Sequence, residues 1–133
     1  MERYHTVIFD LDGTLADTIG DLHAAVNHAL AHFSMPLRSE AETRAAIGSG
    51  VRNLIVRSLP PETPENAADA VLAVFKAYYA EHLLDHTRPY DGVPELIACL
   101  RRHGVRLAVA SNKFDAGTKR ICSGLFGESF DAV

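Results

Sequence analysis

Tryptophan is absent from the chain, which also holds only two methionines and two cysteines. So few cysteines exclude a disulfide-stapled scaffold. Cys99 and Cys122 each fall in a helix-patterned segment and read as reduced, buried thiols, the expectation for a cytoplasmic protein. Long apolar runs are missing too. The longest candidate, residues 105–110, is interrupted by Arg106 and is strand-sized, far short of the ~20 residues of a membrane-spanning helix. The opening Met1-Glu2-Arg3-Tyr4-His5 does not read as a signal peptide, because the apolar stretch after it is broken by Asp10 and Asp12. Basic residues are not in excess: 13 stand against 17 acidic ones, for a net charge of −4. With no basic patch, the expected partners include neither nucleic acid nor a membrane. What is present is 47% hydrophobic and 23% charged residues over 133 positions, enough for one domain with its own core.

The first strong pattern is a continuous apolar run, Val7, Ile8 and Phe9, ending at Asp10. It predicts a strand buried on both faces, as in a parallel sheet. Gly13 breaks the pattern. Asp17 and Thr18 are candidate N-caps for a helix in which Leu22, Val26, Leu30 and Phe33 recur at helical spacing. Ser39, with Glu42 three residues on, reads as a capping box opening a short helix. Gly48-Ser49-Gly50 separates it from a second short helix, which Pro60-Pro61 stops. Pro64 is expected at the first helical position of a long amphipathic helix carrying Val71, Val74, Phe75 and Tyr78. After Pro89 the pattern alternates. A helix runs from Gly92-Pro94 to Gly104, a buried strand covers 105–110, a helix covers 115–125, and a third strand begins over 130–133. The predicted class is α/β, with a parallel-sheet core formed by 1–16 and 89–133 and a helical insertion over 17–88.

The chemistry is concentrated where the two apolar strands end. Asp10 and Asp12 follow Phe9 in the run Asp10-Leu11-Asp12-Gly13-Thr14. Active sites of open α/β sheets lie at this carboxyl edge. Alternation sends Leu11 to one side and both carboxylates to the other. Gly13 allows a sharp turn that presents backbone N–H groups. Two carboxylates so close repel unless a cation or a shared proton separates them, and a hard cation such as Mg²⁺ suits oxygen ligands.

The segment VIFDLDGTLADT resembles motif I of the haloacid dehalogenase superfamily of phosphohydrolases, and VRLAVASN, residues 105–112, resembles its motif II, an apolar strand ending in Ser or Thr. The block between them is similar to the family's type 1 α-helical cap. The IGSG stretch and the Ser111-Asn112-Lys113 tripeptide look most like phosphoglycolate phosphatases. This resemblance implies a Rossmann-like parallel-sheet core with an inserted helical cap, and an Mg²⁺-dependent phosphomonoesterase acting on a small phosphorylated metabolite. Asp10 is then the nucleophile that forms an aspartyl-phosphate. Asp12 is the acid that protonates the leaving alkoxide and the base that activates water. Asp10, with Asp12 through its backbone carbonyl, holds the metal. Ser111, Asn112 and the backbone at Leu11 bind the phosphoryl oxygens. The acid at Asp12 favours phosphatase over dehalogenase chemistry, since halide leaves without a proton.

Other residues carry less specific readings. Thr14 either bonds the turn or supports the catalytic loop, and Asp17 caps the next helix. Gly48 and Gly50 let the cap approach substrate. Arg52 occupies the cap position whose guanidinium reaches substrate anions in related enzymes, or is a solvated helix charge. Lys113 contacts substrate or sits on the rim. His28 and His32, four apart on an amphipathic helix, are expected to face solvent. The family's motif III lysine and motif IV acidic cluster have no match: Lys113 and Lys119 come too early, and Asp131 lacks a Gly-Asp context. The expectation is a piece of a longer protein, with about 80–100 further residues, that turns over little by itself and leaves the strand at Val7 as an exposed edge. A β-phosphoglucomutase-like or other sugar-phosphate enzyme, and a non-catalytic fragment, are the alternative readings.

Overall fold

The computed structural model describes residues 3–133. In chain order its elements are β1 (Thr6–Phe9), β2 (Ala16–Asp17), α1 (Ile19–His32), α2 (Glu40–Ala46), α3 (Val51–Ser58), α4 (Glu65–Glu81), β3 (Arg88–Pro89), α5 (Val93–Arg102), β4 (Arg106–Val109) and α6 (Asp115–Phe126). They fall into two units. One joins the N-terminal segment up to Thr18 with Thr87–Val133; the other is Ile19–His86.

The first unit is α/β. β1 and β4 pair in parallel, from Thr6 opposite Arg106 to Phe9 opposite Val109. Both strands therefore end at the same level, and Ala110 N–H still donates to the Phe9 carbonyl at 2.9 Å. Leu107 and Val109 on β4, Ile97 on α5, and Ile121 and Phe126 on α6 are buried with Leu11 and Leu15. Glycine serves its conformational purpose after α5, where Gly104 takes φ +74° and the chain turns into β4. β2 and β3 form a separate two-residue antiparallel ribbon, Ala16 opposite Pro89 and Asp17 opposite Arg88, extended by Tyr90 N–H donating to the Leu15 carbonyl.

Three expectations for this unit change. β1 is not buried on both faces. Thr6 and Ile8 are exposed, Ile8 at 66%, because no described element covers that face. Among the described residues β1 is also paired on one edge only. The third strand reduces to one parallel bridge, Ala108 with Ala132; there the Asp131 carboxylate accepts the Leu107 N–H at 2.8 Å, a place a strand would fill with a backbone carbonyl. Asp17, expected as a helix cap, lies in β2.

The second unit is all-helical. α1 packs on α2 and α4, and α3 packs on α2 and α4. Leu22, Ala25, Val26, Ala29 and Leu30 of α1 are buried with Val71, Phe75 and Tyr79 of α4, the stripe that the spacing requires. The capping box forms in full: Ser39 Oγ accepts the Glu42 N–H at 3.1 Å and Glu42 Oε1 accepts the Ser39 N–H at 3.2 Å. These bonds, with Arg38, hold the Glu42 carboxyl below its ordinary range. Pro64 is the N-cap of α4, one position earlier than expected, with extended ψ of 150°. His28 and His32 are exposed, as expected, although the His28 ring stacks on Tyr78 with centroids 4.0 Å apart. Among the described residues no helix is long and apolar enough to cross a membrane.

Candidate active site

Just beyond β1 the chain makes a tight turn around one carbonyl. The Leu11 oxygen accepts the N–H groups of Thr14, Leu15 and Ala16 at 3.1, 3.0 and 3.2 Å. Gly13 sits at the crest with φ +77°, where a Cβ would meet nothing within 4 Å. Its requirement is therefore conformational and not one of space. Leu11 is fully buried, and this anchors the residues on either side of it.

Asp10 is exposed. Its Oδ1 accepts the N–H of Leu11 at 2.8 Å, so the backbone donor expected for phosphate is held by Asp10 itself in this arrangement. Asp12 is more enclosed, with 24% of its side chain exposed. Its Oδ1 accepts the Thr18 hydroxyl at 2.6 Å, and the Lys113 ammonium lies 3.2 Å from the same oxygen. Thr18, expected as an N-cap, thus directs its hydroxyl to Asp12.

The loop after β4 supplies the other side. Ser111 is half-buried, and its Oγ accepts the Lys113 N–H at 3.1 Å. Asn112 is exposed. The Thr118 hydroxyl, one turn into α6, donates to the Phe114 carbonyl at 3.1 Å and reaches the Lys113 carbonyl at 3.4 Å. Because β1 and β4 end in register, Asp10 and Asp12 on one loop and Ser111 and Lys113 on the other share a single sheet edge.

Lys113 departs from its expected place. Its side chain is only 2% exposed, so it is neither a rim residue nor open to a substrate. An ammonium so enclosed needs a counter-charge, and Asp12 supplies it. The pair spans 101 positions of sequence and is invisible to periodicity; the available hint was that Lys113 follows the end of an apolar strand by about as many residues as Asp12 follows its own. Cys122 on α6 is buried, and burial, followed by the negative charge of Asp12, pushes its thiol up to about 11. Cys99 is half-exposed, not buried as expected; both thiols are free.

The remaining candidates divide between the units. Thr14 is exposed and serves the turn through its N–H. Arg52, Gly48 and Gly50 belong to the helical unit. Arg52 is half-exposed and pairs with Asp69 at 2.6 Å and Glu65 at 3.5 Å. The hydrogen bond that Arg52 donates to Asp69 raises its already high pKa further. Gly50 is the N-cap of α3 at φ +86°, and Gly48 takes φ +113°.

Among the described residues no group of three or more His, Cys, Asp or Glu side chains is placed to hold a metal. The donors at the β1 edge nevertheless suit a hard cation in part. The Asp10 carboxylate is exposed, and the Asp12 carbonyl takes none of the backbone hydrogen bonds of the turn. The Asp12 carboxylate, with an ammonium and a hydroxyl on one oxygen, is the poorer ligand.

Comparison with known proteins follows the same lines. The family described as haloacid dehalogenase-like hydrolase matches residues 7–131. Phosphoglycolate phosphatase 1 of Pseudomonas aeruginosa is 41% identical over 113 residues, 80% of this chain and 41% of that protein. Phosphoglycolate phosphatase of Cereibacter sphaeroides is 40% identical over 132 residues, 96% of this chain and 60% of that protein. The crystal structure of a protein described as a predicted phosphoglycolate phosphatase from Haemophilus somnus superposes with a TM-score of 0.92 at 29% identity, covering 99% of this chain and 62% of that one. The chain thus spans about half the length of the curated relatives it matches.

Proposed function

The chain belongs to the haloacid dehalogenase-like hydrolases, and from that premise we propose an Mg²⁺-dependent phosphomonoesterase of the phosphoglycolate phosphatase type, acting on a small phosphorylated metabolite in the cytoplasm. The observation that carries the reading is the exposed Asp10 carboxylate at the carboxyl end of β1, two residues before an enclosed Asp12 whose Oδ1 accepts the Thr18 hydroxyl and faces the Lys113 ammonium. Asp10 attacks phosphorus and the ester oxygen leaves, giving an acyl phosphate on Asp10. Asp12 gives its proton to that oxygen. It then takes a proton from water, which attacks the phosphorus and restores the Asp10 carboxylate. Ser111 and the backbone around Asn112 face the transferred oxygens as hydrogen-bond donors. The Asp10 carboxylate and the Asp12 carbonyl would hold Mg²⁺, which would supply charge neutralisation for the phosphoryl group. A carboxylic acid at position 12 supports ester over halide cleavage, because an alkoxide needs a proton and a halide does not.

The unit Ile19–His86 fits the role of a cap, with Arg52 and the loop at Gly48 as its substrate-facing candidates. The ion pairs of Arg52 with Asp69 and Glu65 are solvent-exposed, and such pairs exchange readily for another anion. The free cysteines suit a reducing compartment.

The test is covalent. In a form extended to the length of its relatives and mixed with Mg²⁺ and an aryl phosphate, the protein should gain ~80 Da, one phosphoryl group, on the peptide containing Asp10. Asp10→Asn should gain none, since an amide is not a competent nucleophile. Label on the Asn variant, or on any other residue of the wild type, would refute the assignment.

A further inference from the structure

Lys113 is not used by the mechanism above, yet it is among the most enclosed charges in the chain. Its stem and ammonium are 2% exposed, and its Nζ stands 3.2 Å from Asp12 Oδ1. Its backbone is held at both ends, the N–H by Ser111 Oγ and the carbonyl by Thr118 Oγ1. A long flexible side chain is rarely buried without return, because burial forfeits its rotamer freedom and its hydration. The return is visible at Asp12. The Thr18 hydroxyl and the Lys113 ammonium converge on one oxygen, Oδ1, from opposite ends of the sequence. Two donors on one oxygen restrict the rotation of the carboxyl plane.

We propose that Lys113 is a positioning residue that fixes the orientation of the Asp12 carboxyl group through Oδ1; that this orientation serves the reaction rests on the phosphatase reading. The arrangement suits both halves of the reaction. With Asp12 protonated on Oδ2, Oδ1 is a carbonyl oxygen and still accepts from Lys113 and Thr18. With Asp12 ionised, the same contacts hold the base in place for water. Direct binding of substrate by Lys113 is the competing role, and the enclosure of its ammonium disfavours it.

Two measurements decide the matter, the first on this chain and the second on a form extended to the length of its relatives. The first does not require turnover. In the ¹⁵N-labelled protein a buried, paired ammonium exchanges slowly with water, so Lys113 should give a resolved NH₃⁺ resonance near neutral pH, identified by its loss in Lys113→Arg. Asp12→Asn should shift or abolish it, whereas Lys119→Met, which removes an exposed lysine paired with Asp115, should leave it in place. A missing resonance, or one indifferent to Asp12→Asn, overturns the proposal. The second separates positioning from folding. Lys113→Met should slow transfer from an alkyl phosphate at least ~10-fold more than transfer from an aryl phosphate, whose leaving group needs little help from an acid. Lys113→Arg should recover part of the difference. Equal losses on both esters would make Lys113 merely structural and sink its catalytic half. Failure of the wild type to transfer from either ester would count against the phosphatase reading itself, and the ammonium resonance would still decide whether Lys113 holds Asp12.

Discussion

Asp21 offers the sharpest test of how the helical unit is closed. Its side chain lies in the first turn of α1 and is 1% exposed. Both carboxylate oxygens accept the same backbone N–H, that of His86, at 3.0 and 2.9 Å. His86 is the last residue of the unit, so this contact fastens its beginning to its end. Asp21→Ala would leave the part-buried His86 N–H without its acceptor, which costs up to about 1–3 kcal/mol. It would also remove a negative charge from a helix N-terminus, a further ~0.3–1 kcal/mol. The expected loss is about 1–4 kcal/mol, a fall in Tm of roughly 4–16 °C for a chain of this size. Asp21→Asn keeps one acceptor oxygen and should cost about half as much. Urea unfolding followed by far-UV circular dichroism is the appropriate assay, because the chain has no tryptophan to report by fluorescence. If Asp21→Ala unfolds within ~0.5 kcal/mol of the wild type, the range of an ordinary surface change, the argument is wrong. The same follows if Asn proves as damaging as Ala.

Three further outcomes are expected. The Cys122 thiol is raised in the folded state to about 11, so the folded protein holds its proton where the unfolded chain releases it. Stability should be level below pH ~8.5 and fall by roughly 2–3 kcal/mol as pH rises towards 11. Cys122→Ser should flatten that slope, and a slope unchanged by the substitution would exclude the thiol as its source. At neutral pH iodoacetamide should modify Cys99 well before Cys122, as peptide mapping would show. Gly13→Ala places a Cβ at φ +77° in open space; the backbone penalty alone predicts a loss of roughly 1–2 kcal/mol, and a neutral result by urea titration would mean that the turn relaxes.

Much of the fold was legible because its signals are local. The capping box at Ser39 and Glu42, the helical stripe from Leu22 to Leu30, and the two apolar strands all follow from spacing within a dozen residues. The resemblance carried by the DLDGT turn and the strand before Ser111 led to the family that the comparisons show. Other features depend on neighbours distant in sequence. Val7, Ile8 and Phe9 look alike as letters, but Ile8 is exposed, since burial is decided by what covers a face and not by the strand itself. The β2–β3 ribbon is two residues long on each side, too short to carry any period. Thr18 was read as a cap because threonine before an apolar stripe usually is one; its partner proved to be Asp12, six residues back. The Lys113–Asp12 pair needed the register of β1 against β4 before it could be seen.

That register also bears on the order in which the chain folds. Thr6 and Arg106 are partners whose numbers differ by 100, so the site edge closes one of the longest loops available to this chain, and such contacts are slow to form. The β2–β3 ribbon shortens the search. Once Ala16 lies against Pro89, the segments still to be closed are the 10 positions from Thr6 to Ala16 and the 17 from Pro89 to Arg106. Loop-closure entropy then favours the later step by about 1 kcal/mol relative to closing the full loop. The helices between Ile19 and His86 form a unit of their own, closed by α1 on α4 and by Asp21 on His86, and its closure draws the ends of the ribbon together. On this ordering the four residues of the ribbon act as the basting stitch of the candidate site: the two loops that carry Asp10 and Ser111 meet only after the thread between them has been taken up.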